Sequence, residues 1–403
     1  MTLKIMKRLL VFAILAFTAI NLNATVPHRS SIPDIPGYIT LKGDFHLHTN
    51  FSDAQVWPVT RVDEADFDGL DFISITDHLD THHQHMVKDW SANVNRNTSY
   101  EMAAKAAKKY GIMVIHGAEL TRGTRIFPGH FNTHFISDAD AICTAAEATD
   151  GQFGADEVKQ EETAIKAGLA EAKKQGAFVT WNHPDWEQQA PNETKWWPIH
   201  TELLNGGLID GIEIYNSFSG FDPEAFHWAM EKDLAITTGT DAHKPMFQWV
   251  DYEKGEYRPM TLVFAKERSL KGIREALDAR RTVAFADGCI YGKEEFIKPL
   301  LDACISISDV KFSEKKMTVT VKNLSTIPVC FVKAPGSEMV VYSRLGRLNE
   351  KEEISFSVNG IDSRKPWNVY EFDVNFYVTN WLTDTDTPLK VSYHVSVPAK
   401  YRK

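Results

Sequence analysis

The sequence predicts an α/β barrel followed by a smaller all-β domain, and three observations predict it. Over the first 300 or so residues, short apolar runs alternate with Ala-, Glu- and Lys-rich segments, as strands alternate with covering helices. His, Asp and Glu recur just after those apolar runs. Barrels collect their reactive groups at strand ends, so this recurrence favours a closed barrel over an open sheet. Beyond about residue 300 the helical pattern stops and short alternating runs follow, as in a β-sandwich.

The chain opens with Lys4, Lys7 and Arg8, then an apolar run over residues 9–20 and a small residue at Ala24. That run is short for a membrane span, so residues 1–24 read as a signal peptide, with an N-terminal anchor as the alternative. The mature chain is expected to be exported, periplasmic or secreted, with no stable membrane insertion. Losing three basic and no acidic residues moves the net charge from −10 to −13. Such an acidic chain argues against a nucleic-acid partner. Cys143, Cys289, Cys304 and Cys330 form no C-x-x-C pair, and either disulfides or four buried thiols fit them.

Residues 25–37 contain Pro and Ser and read as a linker. The barrel is assigned to residues 38–300. Its strands are expected at 38–46, 71–75, 112–115, 132–136, 177–181, 211–215 and 235–238. Helices are expected at 100–110 and 161–175, stopped by Gly111 and Gly176, and at 223–232 with Asp222 as N-cap. Residues 301–403 form the β-sandwich-like domain, with strands at 305–310, 316–321, 329–332, 339–342, 353–358, 371–378 and 389–397. His394 is the only histidine there, so the chemistry belongs to the barrel.

His46 and His48 stand two apart at the end of the first strand, and alternate strand residues share a face. Later strand ends carry Thr76-Asp77-His78, Gly117-Ala118-Glu119, Asn132-Thr133-His134, Asn182-His183-Pro184 and Thr240-Asp241-Ala242-His243. A lone strand-end histidine is usually structural. An ordered set on successive strands points to metal. Imidazole with carboxylate suits divalent zinc, manganese or iron, and two or three neighbouring ions can share a hydroxide and bind phosphoryl oxygens.

The order H-x-H, T-D-H, G-x-E, H, N-H-P, D-x-H resembles the polymerase and histidinol phosphatase (PHP) superfamily over about residues 40–290. Export and an added β-domain make the chain most similar to its Sb-PDE phosphodiesterase subgroup. The resemblance implies a distorted seven-stranded β/α barrel with three metal positions. His46, His48, Glu119 and Asp241 match the first. Glu119 would bridge to a second held by His134 and His183. Asp53, His78 and His243 match the third. The chain departs from the family at Ser52-Asp53-Ala54, where many relatives carry a further histidine, and at Thr240 and Leu79. The implied activity is that of a metal-dependent phosphoesterase acting on a small-molecule phosphate ester. The lack of a dense Arg/Lys cluster favours a diester. The alternatives are hydrolysis of other ester or amide bonds, and a non-catalytic metal-containing binding protein.

Other residues carry two readings each. Asp77 either orients a ligand imidazole or caps a turn. Arg122 and Arg125 either clamp a phosphoryl oxygen or pair at the surface. His130 and the His82, His83 and His85 loop are proton-donor candidates, the loop being more simply solvated. Trp181, Trp186, Trp196, Trp197, Tyr215, Phe218 and Phe221 either line a pocket or pack loops. Glu213 and Asn216 belong to the rim or to a structural hydrogen bond.

Overall fold

The computed structural model describes residues 28–79, 95–121, 128–186, 193–343 and 346–402. The barrel wall contains β1 (Ile39–Asp44), β2 (Phe72–Ile75), β3 (Met113–Leu120), β4 (His130–His134), β5 (Phe178–Asn182) and β6 (Gly211–Asn216). A two-residue β7 (Gly220–Phe221) folds back on β6, and β8 (Ala235–Gly239) and β9 (Met260–Ala265) complete the wall. The strands β1–β2–β3 pair in parallel, as do β5–β6–β8. Between these runs lies β4, antiparallel to both neighbours. The antiparallel β9 flanks β1 on the other side.

Most wall strands are buried at every position. Their near-continuous apolar runs suit strands packed on both faces. Where β8 meets β9 and β10 (Thr282–Ala286), hydroxyls take over from a backbone ladder. Ile236 N donates to Thr282 Oγ1 at 3.0 Å and Thr238 N to Thr261 Oγ1 at 2.9 Å. These bonds satisfy amides that closure would otherwise leave without partners.

The helices are α1 (Pro58–Asp68), α2 (Thr98–Ala107), α3 (Ala139–Glu147), α4 (Glu157–Lys174), α5 (Pro198–Asn205), α6 (Pro223–Glu231), α7 (Leu270–Asp278) and α8 (Glu294–Cys304). The start of α6 follows its sequence signals: Asp222 accepts from Glu224 N and Ala225 N, with Pro223 in the first turn. Asp156 caps α4, which starts at Glu157, four residues ahead of the expected start.

The C-terminal antiparallel β domain begins straight out of α8, so the expected boundary at residue 301 falls inside a helix. One of its sheets contains Ile305–Phe312, Lys316–Asn323, Glu353–Gly360 and Val340–Tyr342. The other is built on the long strand Glu371–Asp384, which pairs in parallel with Cys289–Gly292 at Ile290 and Trp381. This sheet therefore continues the barrel sheet. Residues 28–37, the described part of the expected 25–37 linker, are packed against the body of the protein. Ile35 and Ser30 are buried, Thr40 N donates to Asp34 at 2.7 Å, and Thr326 N donates to Ser31 O at 3.0 Å. All four cysteines are free thiols. The expected signal peptide lies outside the described residues.

Candidate metal centre

The end of β1 delivers His46 and His48 to the barrel mouth, both fully buried. Their Nε2 atoms stand 3.1 Å apart. Glu119 Oε2 lies 3.5 Å from His46 Nε2 and 3.2 Å from His48 Nε2. Asp241 Oδ1 lies 3.3 Å and 3.0 Å from the same two nitrogens. Ligands about 2.0–2.1 Å from one tetrahedral ion would stand roughly 3.3–3.4 Å apart. The four atoms thus have the spacing of a coordination shell. Glu119 Oε2 and Asp241 Oδ1 are also shut off from solvent without a hydrogen-bond donor. Buried carboxylate oxygens are costly in that state unless a cation faces them.

Two further groups adjoin this one. Glu119 Oε1 faces His130 Nδ1 at 3.2 Å and His183 Nε2 at 3.5 Å. Asp53 Oδ1 faces His243 Nε2 at 3.1 Å, with His78 Nε2 3.8 Å from Asp53 Oδ2. Asp53 Oδ1 is likewise buried without a donor. His78 reaches Glu119 because the chain after β2 continues the parallel pairing, forming a bridge between the two residues. The residues present therefore fit divalent ions, with Glu119 common to two of the groups.

Several supports hold the ligands. Glu213 Oε1 faces His46 Nδ1 at 3.2 Å and leaves Nε2 directed at the centre. The same carboxylate accepts from His183 N at 2.9 Å and from Asn216 Nδ2 at 3.1 Å. Gly239 makes room for this contact: a Cβ there would lie 2.1 Å from Glu213 Oε1 and 2.3 Å from His46 Cβ. Arg61, fully buried, donates to His48 O at 2.8 Å and also to the carbonyls of Ala242 and Lys244, tying two ligand loops together. His183 and Asp241 have φ of 29° and 52°, strained backbone of the kind that collects at functional sites.

Three sequence expectations change. His134 does not join the centre. Its Nδ1 lies 2.9 Å from Ser74 Oγ and its Nε2 3.2 Å from Thr180 Oγ1, and burial chiefly drives its imidazole down to about 3. Because β4 runs antiparallel, its first residue, His130, lies at the barrel mouth, and His134 lies at the far end. His130, expected as a proton donor, sits in the ligand cluster, and burial outweighs Glu119 to push it down to about 4. Asp77 orients no imidazole directly. It accepts from Thr49 N at 2.6 Å, Thr49 Oγ1 at 2.7 Å and Ser52 Oγ at 2.8 Å, so it holds the turn that presents Asp53. Arg122, Arg125, His82, His83 and His85 lie outside the described residues. Asn182, whose Nδ2 donates to Glu119 Oε1 at 3.0 Å, supports the centre in a role that the Asn-His-Pro motif alone does not assign. Its place on β5, one residue before a ligand, was the available signal.

We expect His130→Ala to lose bound metal, and His134→Asn to keep the wild-type metal content when measured by elemental analysis. Metal lost in His134→Asn would return His134 to the ligand set, and full content in His130→Ala would remove His130 from it.

Charge coupling sets a pH dependence. Burial works against a charged His48, but the negative charges of Asp241 and Glu119 beside it outweigh it and raise the imidazole to about 10. In the metal-free protein His48 therefore carries a proton at neutral pH, and an ion must displace it. Metal affinity is expected to rise between pH 6 and pH 9, by about tenfold per pH unit for each proton displaced. Calorimetry in buffers of different ionisation enthalpy will show proton release. A binding enthalpy independent of buffer would contradict it.

Fold and ligand geometry together define a barrel metalloprotein of PHP type. A two-domain protein from Bacteroides vulgatus containing a predicted PHP-like metal-dependent phosphoesterase is 38% identical, with a TM-score of 0.80 over 91% of this chain and 98% of that one. The chain belongs to this family of PHP-like metal-dependent phosphoesterases. A structure from Bifidobacterium adolescentis, named for a metal-dependent phosphoesterase, is 18% identical over 50% of this chain and 88% of its own, with a TM-score of 0.36. An amidohydrolase from Chromobacterium violaceum with bound sulfate is 16% identical over 50% and 88%, with a TM-score of 0.35. No family model and no curated protein matches the sequence.

Proposed function

We propose that the protein is an exported, metal-dependent phosphodiesterase. The observation that carries this reading is the convergence of His46, His48, Glu119 and Asp241 on one point, with two carboxylate oxygens that find no donor. Divalent ions held by these residues would supply an activated water and offset charge on the phosphoryl oxygens. His130 and His183 share Glu119 with the first group, and Asp53, His78 and His243 form the third. In hydrolysis the water oxygen bonds to phosphorus, the ester P–O bond breaks, and the leaving oxygen departs with a proton.

The cleft over these groups measures about 280 Å³ and is flanked by Trp186 and Phe218. Trp186 stands edge-on to His130 and His183 at 4.9 Å and 5.2 Å, which gives an apolar wall for an ester group. Among the described residues no Lys or Arg lines the cleft. A monoester dianion gains little from such walls, whereas a diester brings one charge and two organic groups. Bis(4-nitrophenyl) phosphate is expected to be hydrolysed faster than 4-nitrophenyl phosphate. Activity should vanish in chelator and return with manganese or zinc. Turnover by protein shown to be metal-free would overturn the proposal.

A further inference from the structure

The end of β6 brings two side chains to one buried space that a regular strand would keep apart. Glu213 and Asn216 stand three residues apart, and side chains at that spacing point to opposite faces of a regular strand. The register of β6 against β8 shifts here: Glu213 pairs with Thr237, but Tyr215 pairs with Thr238. An extra residue of this kind re-aims the side chains beyond it. Asn216 therefore meets Glu213, with its Nδ2 3.1 Å from Glu213 Oε2.

Asn216 is 1% exposed, and its amide is engaged at both atoms. Its Nδ2 donates to Glu213 Oε2 and, at 3.2 Å, to Asp241 Oδ2, which uses both hydrogens. Its Oδ1 accepts from Phe218 N at 2.9 Å. The opposite amide orientation would set an oxygen against two carboxylates and an –NH2 against an N–H, so the network fixes it.

The consequence falls on Asp241. Its Oδ1 faces His46 and His48 and has no donor, whereas Oδ2 is taken by Asn216. Oδ2 also lies 3.9 Å from His183 Nε2, in the neighbouring group. An unheld Asp241 could turn that oxygen to either group. Through Glu213 the same amide also braces His46, whose Nδ1 faces Glu213 Oε1 at 3.2 Å.

We propose that Asn216 is a positioning residue for the metal centre: it commits Asp241 to the group of His46 and His48 through one oxygen. This role rests on the metal centre that the phosphodiesterase reading also uses, and is independent of which ester is cleaved. It also ties the cleft wall to the ligands, because Phe218 is held by the same amide.

The test is Asn216→Leu, which keeps much of the volume, removes both donors and leaves little room for a replacing water. Metal-free full-length protein is titrated with cobalt(II), read by calorimetry and by visible absorption. Cobalt is expected to bind roughly 10–100-fold more weakly than to wild type, the usual effect of losing a support behind a ligand. The visible bands should weaken at least twofold, since a second carboxylate oxygen raises the coordination number and four-coordinate cobalt absorbs most strongly. Affinity within twofold of wild type would overturn the role. Weaker binding with an unchanged spectrum would overturn it too, because that marks general loosening rather than a freed Asp241. Should Asn216→Leu not fold, Asn216→Ala is held to the same two readouts. Neither readout uses an ester. Wild-type protein that binds cobalt but leaves bis(4-nitrophenyl) phosphate intact would therefore refute the phosphodiesterase reading and leave the role of Asn216 to be judged by the titration.

Discussion

Glu119→Gln is expected to lower kcat on bis(4-nitrophenyl) phosphate by at least ~10³-fold and to strip metal from two positions together. Its two oxygens face different groups: Oε2 faces His46 and His48, and Oε1 faces His130 and His183. Burial works against ionisation, yet His78, His46 and His130 hold the carboxyl well below its usual range. The amide keeps the shape and loses the charge. Its –NH2 must also point either at Asn182 Nδ2, itself a donor, or at the imidazole group, so no rotamer restores two acceptors. Elemental analysis and kcat on one preparation give the check. A variant with full metal content and near-normal turnover would remove Glu119 from its bridging place.

Arg258→Leu is expected to destabilise the fold by about 3–5 kcal/mol, the usual cost of removing one partner from a buried ion pair. Arg258 donates to Asp44 at 2.7 Å and to Asp68 at 3.2 Å, and all three side chains are buried. Burial already raises the carboxyl of Asp68, with Arg258 acting against it, so losing the cation leaves two buried acids uncompensated. The damage should reach the metal centre. Asp44 also accepts from His46 N at 3.0 Å and Thr240 Oγ1 at 2.6 Å, just ahead of Asp241. Denaturant unfolding of metal-free protein measures the loss. A change below about 1 kcal/mol would show that the two carboxyls simply take up protons at little cost.

Most of the ligand chemistry was legible in the sequence, because H-x-H, G-x-E and D-x-H sit at strand ends whose positions follow from local apolar runs. Of the residues assigned as ligands, His46, His48, Asp53, His78, Glu119, His183, Asp241 and His243 come together, and His134 does not. The supports were less legible. Asp77 looks equally suited to an imidazole or a turn until Thr49 and Ser52 fold back onto it. Arg61 and Arg258 lie far along the chain from most of their partners, and nothing local marks either as buried. The β domain's contact with the barrel was also hidden, since the pairing of Ile290 with Trp381 spans most of that domain.

By itself the sequence determined the barrel class, the set of ligand types and the separate β-rich end, all of which depend on local period and composition. Strand direction was decided only in the tertiary structure. A two-residue alternation reads the same in either direction, so β4 could be located but not oriented. Its antiparallel pairing with β3 and β5 is what brings His130 to the metal centre and sends His134 to the hydroxyls of Ser74 and Thr180.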